Sequence, residues 1–264
     1  MKAYEIFDEE LKITLGVLLY YSGEDACIIE LDEGPDEWTA PLMFTSFIRN
    51  KIYTIPRDIS RRWIMERVIP NSRQNINNIL ANHKLRSYDE FRLLELAQGR
   101  CSQDSVCIRK IDELPGFVIE RMRKNIRECL AGADHCLLCF FEDGTVRRVD
   151  IEKFKDVEGT DKIIKNNDLY ESCRIGAGGY YITFNDSIDI SSAVLYGSGT
   201  LLPVSLDDFT KFAAKNILDT TQACELLECS RQNLSYLVSR NRLNPIREEV
   251  KGNLYLKGDV IRNK

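Results

Sequence analysis

The side chains best suited to chemistry lie near the end of the chain, between Ser230 and Arg247. This stretch contains four arginines and no Asp or Glu, although the whole chain carries a formal net charge of −5. Arginine and glutamine can pair bidentately with guanine and adenine edges, at roughly 1 to 3 kcal/mol of discrimination for each pair. A basic stretch in an acidic protein therefore indicates one restricted surface for phosphates and bases. The residues that this stretch offers to such a surface are the basic Arg231, Arg240, Arg242 and Arg247 and the outward-facing Gln232, Asn233, Ser235 and Tyr236.

Two helices followed by a hairpin must hold these side chains. Asp219 or Thr220 can cap the first helix and Ser230 the second, because their side-chain oxygens accept from backbone N–H groups that the first turn leaves without partners. Apolar residues at helical spacing give the second helix a buried stripe, so its polar residues face outward. The proline of Asn244–Pro245 cannot continue a helix, and alternating residues on both sides of Lys251–Asn253 then predict a hairpin.

The string TTQACELLECSRQNLSYLVSRNRL, from Thr220 to Leu243, resembles the helix-turn-helix of excisionase and MerR-like proteins. The resemblance implies a winged helix-turn-helix over residues 205–264 that binds double-stranded DNA. The resemblance implies that four side chains enter the major groove: Arg231, Gln232, Asn233 and Tyr236. It also implies that a second set contacts phosphates or the minor groove: Ser230, Arg240, Arg242, Lys251 and Asn253. Such proteins usually bind two half-sites about 34 Å apart, so a homodimer is expected. A helical unit used only for protein contacts is the alternative.

Composition is that of an ordinary globular protein. The 264 residues are 44% apolar and 29% charged, and this length allows two or three domains. No apolar run approaches the roughly 20 residues needed to span a bilayer, and Met1–Glu5 lacks the features of a secretion signal. We therefore expect a cytoplasmic protein that makes no membrane contact.

Nine cysteines and two histidines give little sign of a metal site. In a cytoplasmic protein the cysteines are expected to be reduced thiols. Cys136 and Cys139 have C-x-x-C spacing, but they lie in a predicted strand, where residues three apart point to opposite faces. We therefore expect neither a metal nor another cofactor.

Residues 133–204 predict a small α+β domain with two hairpins. The first hairpin turns at Gly144 and the second at Gly176–Gly179. The glycine-rich second turn leads into a strand, whereas a phosphate-binding loop leads into a helix, so a plain hairpin turn is favoured. After a flexible linker at 197–200, Ser205 begins a helix that is expected to pack onto the helix-turn-helix.

Two strings in this middle region resemble a small prokaryotic domain of unknown function. They are DGTVRRVDI, from Asp143 to Ile151, and NDSIDISSAVLY, from Asn185 to Tyr196, which follow the patterns DGxxRxVDL and NGxDIxPxxLY. Asp186–Ile188 stands where the family has Gly-x-Asp, so the turn there departs from the pattern. The resemblance implies a compact α+β fold and protein–protein contact.

The pattern of apolar residues and helix signals in residues 1–132 predicts an N-terminal α+β domain, with a small antiparallel sheet followed by helices. Strands are expected at 12–21 and 26–31, and helices at 41–50, 58–69, 72–82, 87–98 and 115–130. Ser87 and Glu90 have the spacing of a capping box. Segments at 61–70 and 88–94 resemble the non-catalytic N-terminal part of HipA-type toxin kinases, but no kinase core follows and no phosphotransfer is inferred.

A second basic window runs from Phe44 to Arg86, with nine Lys and Arg against two Asp and Glu. It contains the string Ser72–Ile76, SRQNI, which repeats SRQNL from Ser230–Leu234. The window could be a solvated face, a surface for an acidic partner or a second DNA contact. The residues of this possible surface are Arg57, Arg61, Arg62, Arg67 and Arg73.

Taken together, the sequence predicts an α+β protein of three domains, at 1–132, 133–204 and 205–264. The favoured function is a sequence-specific DNA-binding regulator of a mobile element or a toxin–antitoxin-like locus. The alternative is an interaction factor, such as an antitoxin-like inhibitor or a recombination accessory protein, which holds a protein partner through residues 1–204 and uses the C-terminal unit for localisation. No catalytic motif is found, so no enzymatic activity is expected.

Overall fold

The computed structural model describes residues 1–154, 157–250, 252–256 and 260, and it confirms the predicted α+β class. The strands are β1 (Lys2–Asp8), β2 (Ile13–Tyr21), β3 (Ala26–Leu31), β4 (Thr54–Ile55), β5 (Val106–Ile111), β6 (Ile126–Ala131), β7 (Cys136–Phe141), β8 (Val146–Asp150), β9 (Cys173–Ile175), β10 (Tyr181–Phe184), β11 (Ile188–Ser191), β12 (Thr200–Leu202), β13 (Ile217–Leu218), β14 (Arg247–Val250) and β15 (Gly252–Leu256). The helices are α1 (Thr45–Arg49), α2 (Arg57–Met65), α3 (Ile76–Asn82), α4 (Glu90–Ala97), α5 (Gly116–Met122), α6 (Thr160–Lys165), α7 (Asn167–Glu171), α8 (Ser192–Ser198), α9 (Leu206–Asn216), α10 (Thr220–Leu227) and α11 (Arg231–Ser239).

The chain divides into two compact units. The first unit contains residues 1–143 and 147–200, and the second contains 144–146 and 201–264. The finer division into three domains stays a prediction. Among the helices of the described residues, none combines the length and the apolar character needed to cross a membrane.

A five-stranded antiparallel sheet, in the order β4-β3-β2-β1-β5, forms the centre of the first unit. Successive side chains of a strand face opposite sides, and in β2 Leu18 belongs to one apolar cluster while Val17 and Leu19 belong to another. Both faces of the sheet are therefore covered, which explains the unbroken apolar character of β2.

Helices α2 and α4 cover one face of this sheet, with Trp63 and Phe91 in its apolar cluster. The predicted capping box at the start of α4 is wrong. The N-cap is Asp89, which has an extended backbone and whose Oδ1 accepts from the N–H of Arg92 at 2.9 Å. Asp89 directly precedes the first helical residue, whereas Ser87 lies two residues earlier and outside capping reach.

The other face of the sheet is covered by α5 and by the glycine-rich turn, through residues such as Val118, Ala177 and Tyr180. Gly178 has φ of +57°, and a Cβ there would lie 2.3 Å from the Tyr21 hydroxyl. The turn therefore needs glycine because it packs directly on aromatic side chains. Segments from both of the first two predicted domains share this core cluster.

The predicted helix over 115–130 is only partly correct. Helix α5 ends at Met122, and the following residues form β6, which pairs antiparallel with β7 in the register Cys129↔Cys139. Pairing with the strongly apolar β7 overrides the local helical pattern, since strand formation depends mainly on cross-strand packing.

Two smaller sheets complete the first unit, and both predicted hairpins are confirmed. In one sheet β8, β7 and β6 are neighbours, and the other has the order β11-β10-β9. Between them lies a cluster of buried residues that includes Phe141, Val149, Tyr170 and Phe184. The last helix, α8, is capped by Ser191, whose Oγ accepts from the N–H of Val194 at 3.3 Å.

The second unit contains α9, α10, α11 and a three-stranded sheet in the order β13-β15-β14. Its core consists of Ala223, Leu234, Leu243, Tyr255 and Val260. Helix α9 begins as predicted, at a capping box between Ser205 and Asp208. None of its residues is buried, Leu206 and Ala213 are half-buried, and its packing onto the helix-turn-helix stays a prediction.

Candidate nucleic-acid interface

Two capped helices joined by a short turn position the candidate side chains. The Asp219 carboxylate accepts from the N–H of Gln222 at 2.8 Å, and the Gln222 side chain accepts in return from the N–H of Asp219 at 3.1 Å. Helix α10 ends at Leu227, and the left-handed conformation of its C-cap Glu228, with φ of 54°, turns the chain away from the helix axis. Ser230 then caps α11, because its Oγ accepts from the N–H of Asn233 at 3.3 Å. Both predicted helix starts are confirmed.

Helix α11 turns its polar side chains to solvent. Leu234 is its buried residue, and Leu237 and Val238 are half-buried, as the helical spacing predicts. The side chains expected to read bases are all exposed: Arg231, Gln232, Asn233, Ser235 and Tyr236. Leu234 thus anchors the helix while its opposite face stays accessible.

Two local contacts orient the aromatic and basic groups of α11. The guanidinium of Arg231 donates from Nη2 to Thr221 Oγ1 at 3.3 Å. The guanidinium of Arg240 lies 5.4 Å from the centre of the Tyr236 ring, within the range of a cation–π contact. Neither contact neutralises a charge, so both guanidiniums remain able to bind an anion.

Among the ion pairs that join described residues, none involves a candidate arginine of the second unit. Arg231, Arg240, Arg242 and Arg247 are exposed, and the ion pairs that join described residues all lie before residue 190. The sequence from 201 to 264 has ten Lys and Arg against eight Asp and Glu, whereas the rest of the chain has 26 against 33. The acidic net charge thus belongs to the other residues, and the second unit has the sign that phosphate contact requires.

The predicted hairpin is tied to the start of α10. Thr220 Oγ1 accepts from the N–H of Asn253 at 3.0 Å and lies 3.3 Å from the Asn253 carbonyl, to which it can donate. Gly252, with φ of +110°, lets the backbone approach this hydroxyl, since a Cβ there would lie 2.9 Å from it. Asn253 therefore lies within β15, with its backbone used for anchoring, and Lys251 lies outside the described residues.

In the basic window of the first unit, Arg67 does not belong to a surface, which corrects that part of the prediction. Its side chain is 4% exposed, stacks on Trp63 at 4.2 Å, and donates to the Gly99 carbonyl at 3.0 Å. Two further hydrogen bonds join its guanidinium to the carboxylate of Asp104. Arg67 is thus a buried brace between α2 and the segment before β5.

The other arginines of this window are mostly engaged as well. Arg57 forms an ion pair with Asp189 at 2.6 Å, and Arg61 forms one with Glu90 at 3.1 Å. Arg62 and Arg73 are exposed, and Arg73 donates to the Asn75 side chain at 2.9 Å. The repeated SRQN string also differs in structure, because α3 begins only after Asn75 and Ser72 does not cap it.

The thiols form a cluster that the sequence did not reveal. Cys136 is half-buried and Cys139 is buried, in agreement with their predicted opposite faces. Cys129 Sγ lies 3.7 Å from Cys139 Sγ and 3.9 Å from Cys173 Sγ. The contact with Cys139 raises the pKa of Cys129, and burial raises it further, so this thiol is protonated at neutral pH. Within the described part of the chain, no group of His, Cys, Asp and Glu side chains is arranged to hold a metal ion.

A second feature missed by sequence reasoning is a buried ion pair in the first unit. Glu30 is fully buried, and its carboxylate accepts from Arg121 Nη1 at 2.9 Å and from Thr54 Oγ1 at 2.9 Å. Burial raises the pKa of Glu30, and the nearby Arg121 guanidinium opposes that rise. A lone Glu in the apolar strand 26–31 was the signal that could have revealed this pair.

No protein-family model, curated protein sequence or solved structure matches this chain. The resemblances drawn from its sequence strings therefore stay predictions.

Proposed function

We propose that the second unit is a winged helix-turn-helix that binds double-stranded DNA sequence-specifically, and that the protein regulates transcription of a mobile-element or toxin–antitoxin-like locus. The observation that supports this most is the exposed first turn of α11. It presents Arg231, Gln232 and Asn233 together, above a helix anchored by the buried Leu234.

The dimensions of α11 suit the major groove. Nine helical residues extend about 13.5 Å, and the groove is about 12 Å wide, so the first turn can enter while the end of the helix remains near the backbone. Base contacts by the N-terminal residues of the second helix are usual for a helix-turn-helix. Arg231 can donate two hydrogen bonds to guanine, whereas Gln232 and Asn233 can each donate to and accept from adenine.

Charges outside the first turn suit the phosphates. Arg240 and Arg242 follow the end of α11, and Arg247 begins β14, so basic groups flank the reading residues in sequence. The N-terminus of α11 adds the partial positive charge of a helix end, which also favours an anion. Contacts of this kind set affinity and its dependence on salt, and they carry no sequence information.

Binding to the protein's own upstream region, compared with a scrambled duplex, tests the proposal. We expect Arg231→Ala to lose discrimination between the two duplexes. We expect Arg242→Ala to weaken both alike and to reduce the slope of log affinity against log salt by about one unit. Arg127→Ala, which removes an exposed arginine of the first unit outside both basic stretches, is the matched control. Equal affinity of the unchanged protein for both duplexes argues against sequence-specific recognition.

An interaction factor is the second candidate, and one observation favours it. Trp38 is 85% exposed and Leu42 93% exposed, and both line an open cavity of about 730 Å³ in the first unit. Large apolar side chains grouped at a cavity are typical of protein-binding surfaces. If this surface carries the function, a partner co-purifying with the full chain is lost on Trp38→Ala and kept on Arg231→Ala. The opposite pattern argues for the DNA-binding role.

A further inference from the structure

Helix α9 of the second unit exposes an apolar face. Phe209 is 50% exposed and Phe212 54% exposed, and none of the eleven residues of α9, all of which the structure describes, is buried. Leu201 and Val204, just before the helix, are also exposed. Four large exposed apolar side chains thus fall within twelve consecutive residues, which is typical of an interaction surface.

A helix of this length needs support from packing. Isolated helices shorter than about 12 to 15 residues are marginal in water, and most helical stability in proteins comes from a packed apolar face. The capping box of Ser205 and Asp208 stabilises only the first turn of α9. The exposed face is therefore the part of α9 whose burial would stabilise it most.

The charges of α9 indicate what covers this face. Asp207 and Asp208 lie at its start, and Lys211 and Lys215 lie towards its end. Asp208 and Lys215 are seven residues apart, so they lie on one flank of the helix and about 10 Å apart along its axis. A parallel second copy would bring like charges together, whereas an antiparallel copy would place Asp208 of each helix beside Lys215 of the other.

We propose that α9 is a homodimer interface, in which two copies of the helix pack antiparallel about a twofold axis near Phe212. The midpoint between Asp208 and Lys215 falls beside Phe212, so the same arrangement that pairs the charges also brings the two Phe212 rings together. Self-complementary contact of this kind is what twofold symmetry requires, because residue i meets residue j and residue j meets residue i.

This pairing is expected to be weak in isolation. Two short helices bury less than the roughly 1,200 Å² of a stable interface, so a dissociation constant on the order of micromolar is expected. Pairing through α9 does not depend on DNA. If the proposed function holds, however, it presents two copies of α11 to two half-sites.

Sedimentation velocity of the full chain without DNA tests the interface. We expect the unchanged protein to shift from monomer to dimer as its concentration rises, and Phe212→Glu to remain monomeric throughout. Leu96→Glu, which replaces a comparably exposed apolar residue of α4 in the first unit, is the matched control and should dimerise like the unchanged protein. Thermal unfolding of each variant confirms that it is folded.

The charge pairing has its own test, in which two variants are mixed. Lys215→Asp should lose self-association, because it brings like charges together in its own dimer, and Asp208→Lys should do so for the same reason while also losing the capping box of α9. Their mixture should associate again, since the two altered flanks are complementary. Failure of the mixture to associate contradicts the antiparallel pairing.

The outcomes also separate this inference from the proposed function. If the protein dimerises but does not bind DNA, the α9 interface is supported and the proposed regulatory function is contradicted. A protein that binds its own upstream region but stays monomeric at every concentration overturns the interface. A dimer that persists in Phe212→Glu lies elsewhere on the molecule and overturns it too.

Discussion

The two arginine-rich regions of this chain use similar residues in opposite ways. In the first unit, Arg67 is buried against Trp63 and Asp104, and Arg57 is paired with Asp189. In the second unit, the arginines of and around α11 are exposed, and no described acid pairs with them. The difference shows that the role of a basic stretch depends on the fold. Where the fold brings carboxylates from distant parts of the chain, the arginines are paired and buried; elsewhere they stay exposed.

The largest expected effect comes from removing the buried brace. Arg67→Ala removes the guanidinium that pairs with the Asp104 carboxylate and opens space beside Trp63, so we expect a loss of about 3 to 5 kcal/mol in the free energy of unfolding. Urea denaturation followed by circular dichroism measures it. A variant as stable as the unchanged protein would show that the two arginine-rich regions do not differ in this way.

A smaller effect is expected from the half-buried Arg57. Its guanidinium contacts Asp189, the Asp186 carbonyl and the Tyr181 ring, so Arg57→Ala should cost about 1.5 to 3 kcal/mol of stability. Arg61→Ala is the control, because its ion pair with Glu90 is more exposed and is expected to contribute less than about 1 kcal/mol. Equal losses of stability in Arg57→Ala and Arg61→Ala would show that burial does not determine the contribution of these ion pairs.

The repeated string offers a matched comparison of two serines. Ser230→Ala removes the cap of α11 and should cost about 1 kcal/mol locally, whereas Ser72→Ala removes no cap. Hydrogen exchange at the Asn233 amide, which loses its acceptor only in Ser230→Ala, reports the difference. Unchanged exchange there would mean that the cap contributes little to the start of α11.

The smallest effect on stability is expected at Arg73, which occupies the position of Arg231 in the repeated string. Arg73→Ala should change the free energy of unfolding by no more than about 0.5 kcal/mol and should leave DNA binding unaltered. Arg231→Ala should be equally mild in stability but should reduce discrimination between duplexes by roughly 1 to 3 kcal/mol. Loss of DNA binding on Arg73→Ala would instead assign the first basic window to nucleic acid.

Features set by neighbouring residues were predictable from the sequence. The caps at Asp219 and Ser230 and the hairpin turning at Gly144 depend on a few adjacent side chains, and the structure has them as expected. The predicted capping box at Ser87 was wrong because Asp89, which directly precedes the helix, is the N-cap of α4 instead. Local signals thus identify an element well, but a stronger neighbour can displace its boundary.

Features that depend on remote partners were not predictable. Strand β6 follows a helical pattern locally and becomes a strand because β7 lies beside it. Arg67 gave no sign of burial, since its carboxylate partner is 37 residues away in a segment without a clear pattern. The exposed side chains of α11 were predictable because its buried stripe recurs at helical spacing within the helix itself.

The hydroxyl of Thr220 links the tip of the hairpin to the first turn of α10 across 33 residues of chain. Through this one oxygen, the loop and the helix pair are expected to move together as a rigid block. Valine has the same shape but neither donates nor accepts, so Thr220→Val is expected to free the loop without altering any group that faces solvent on α11.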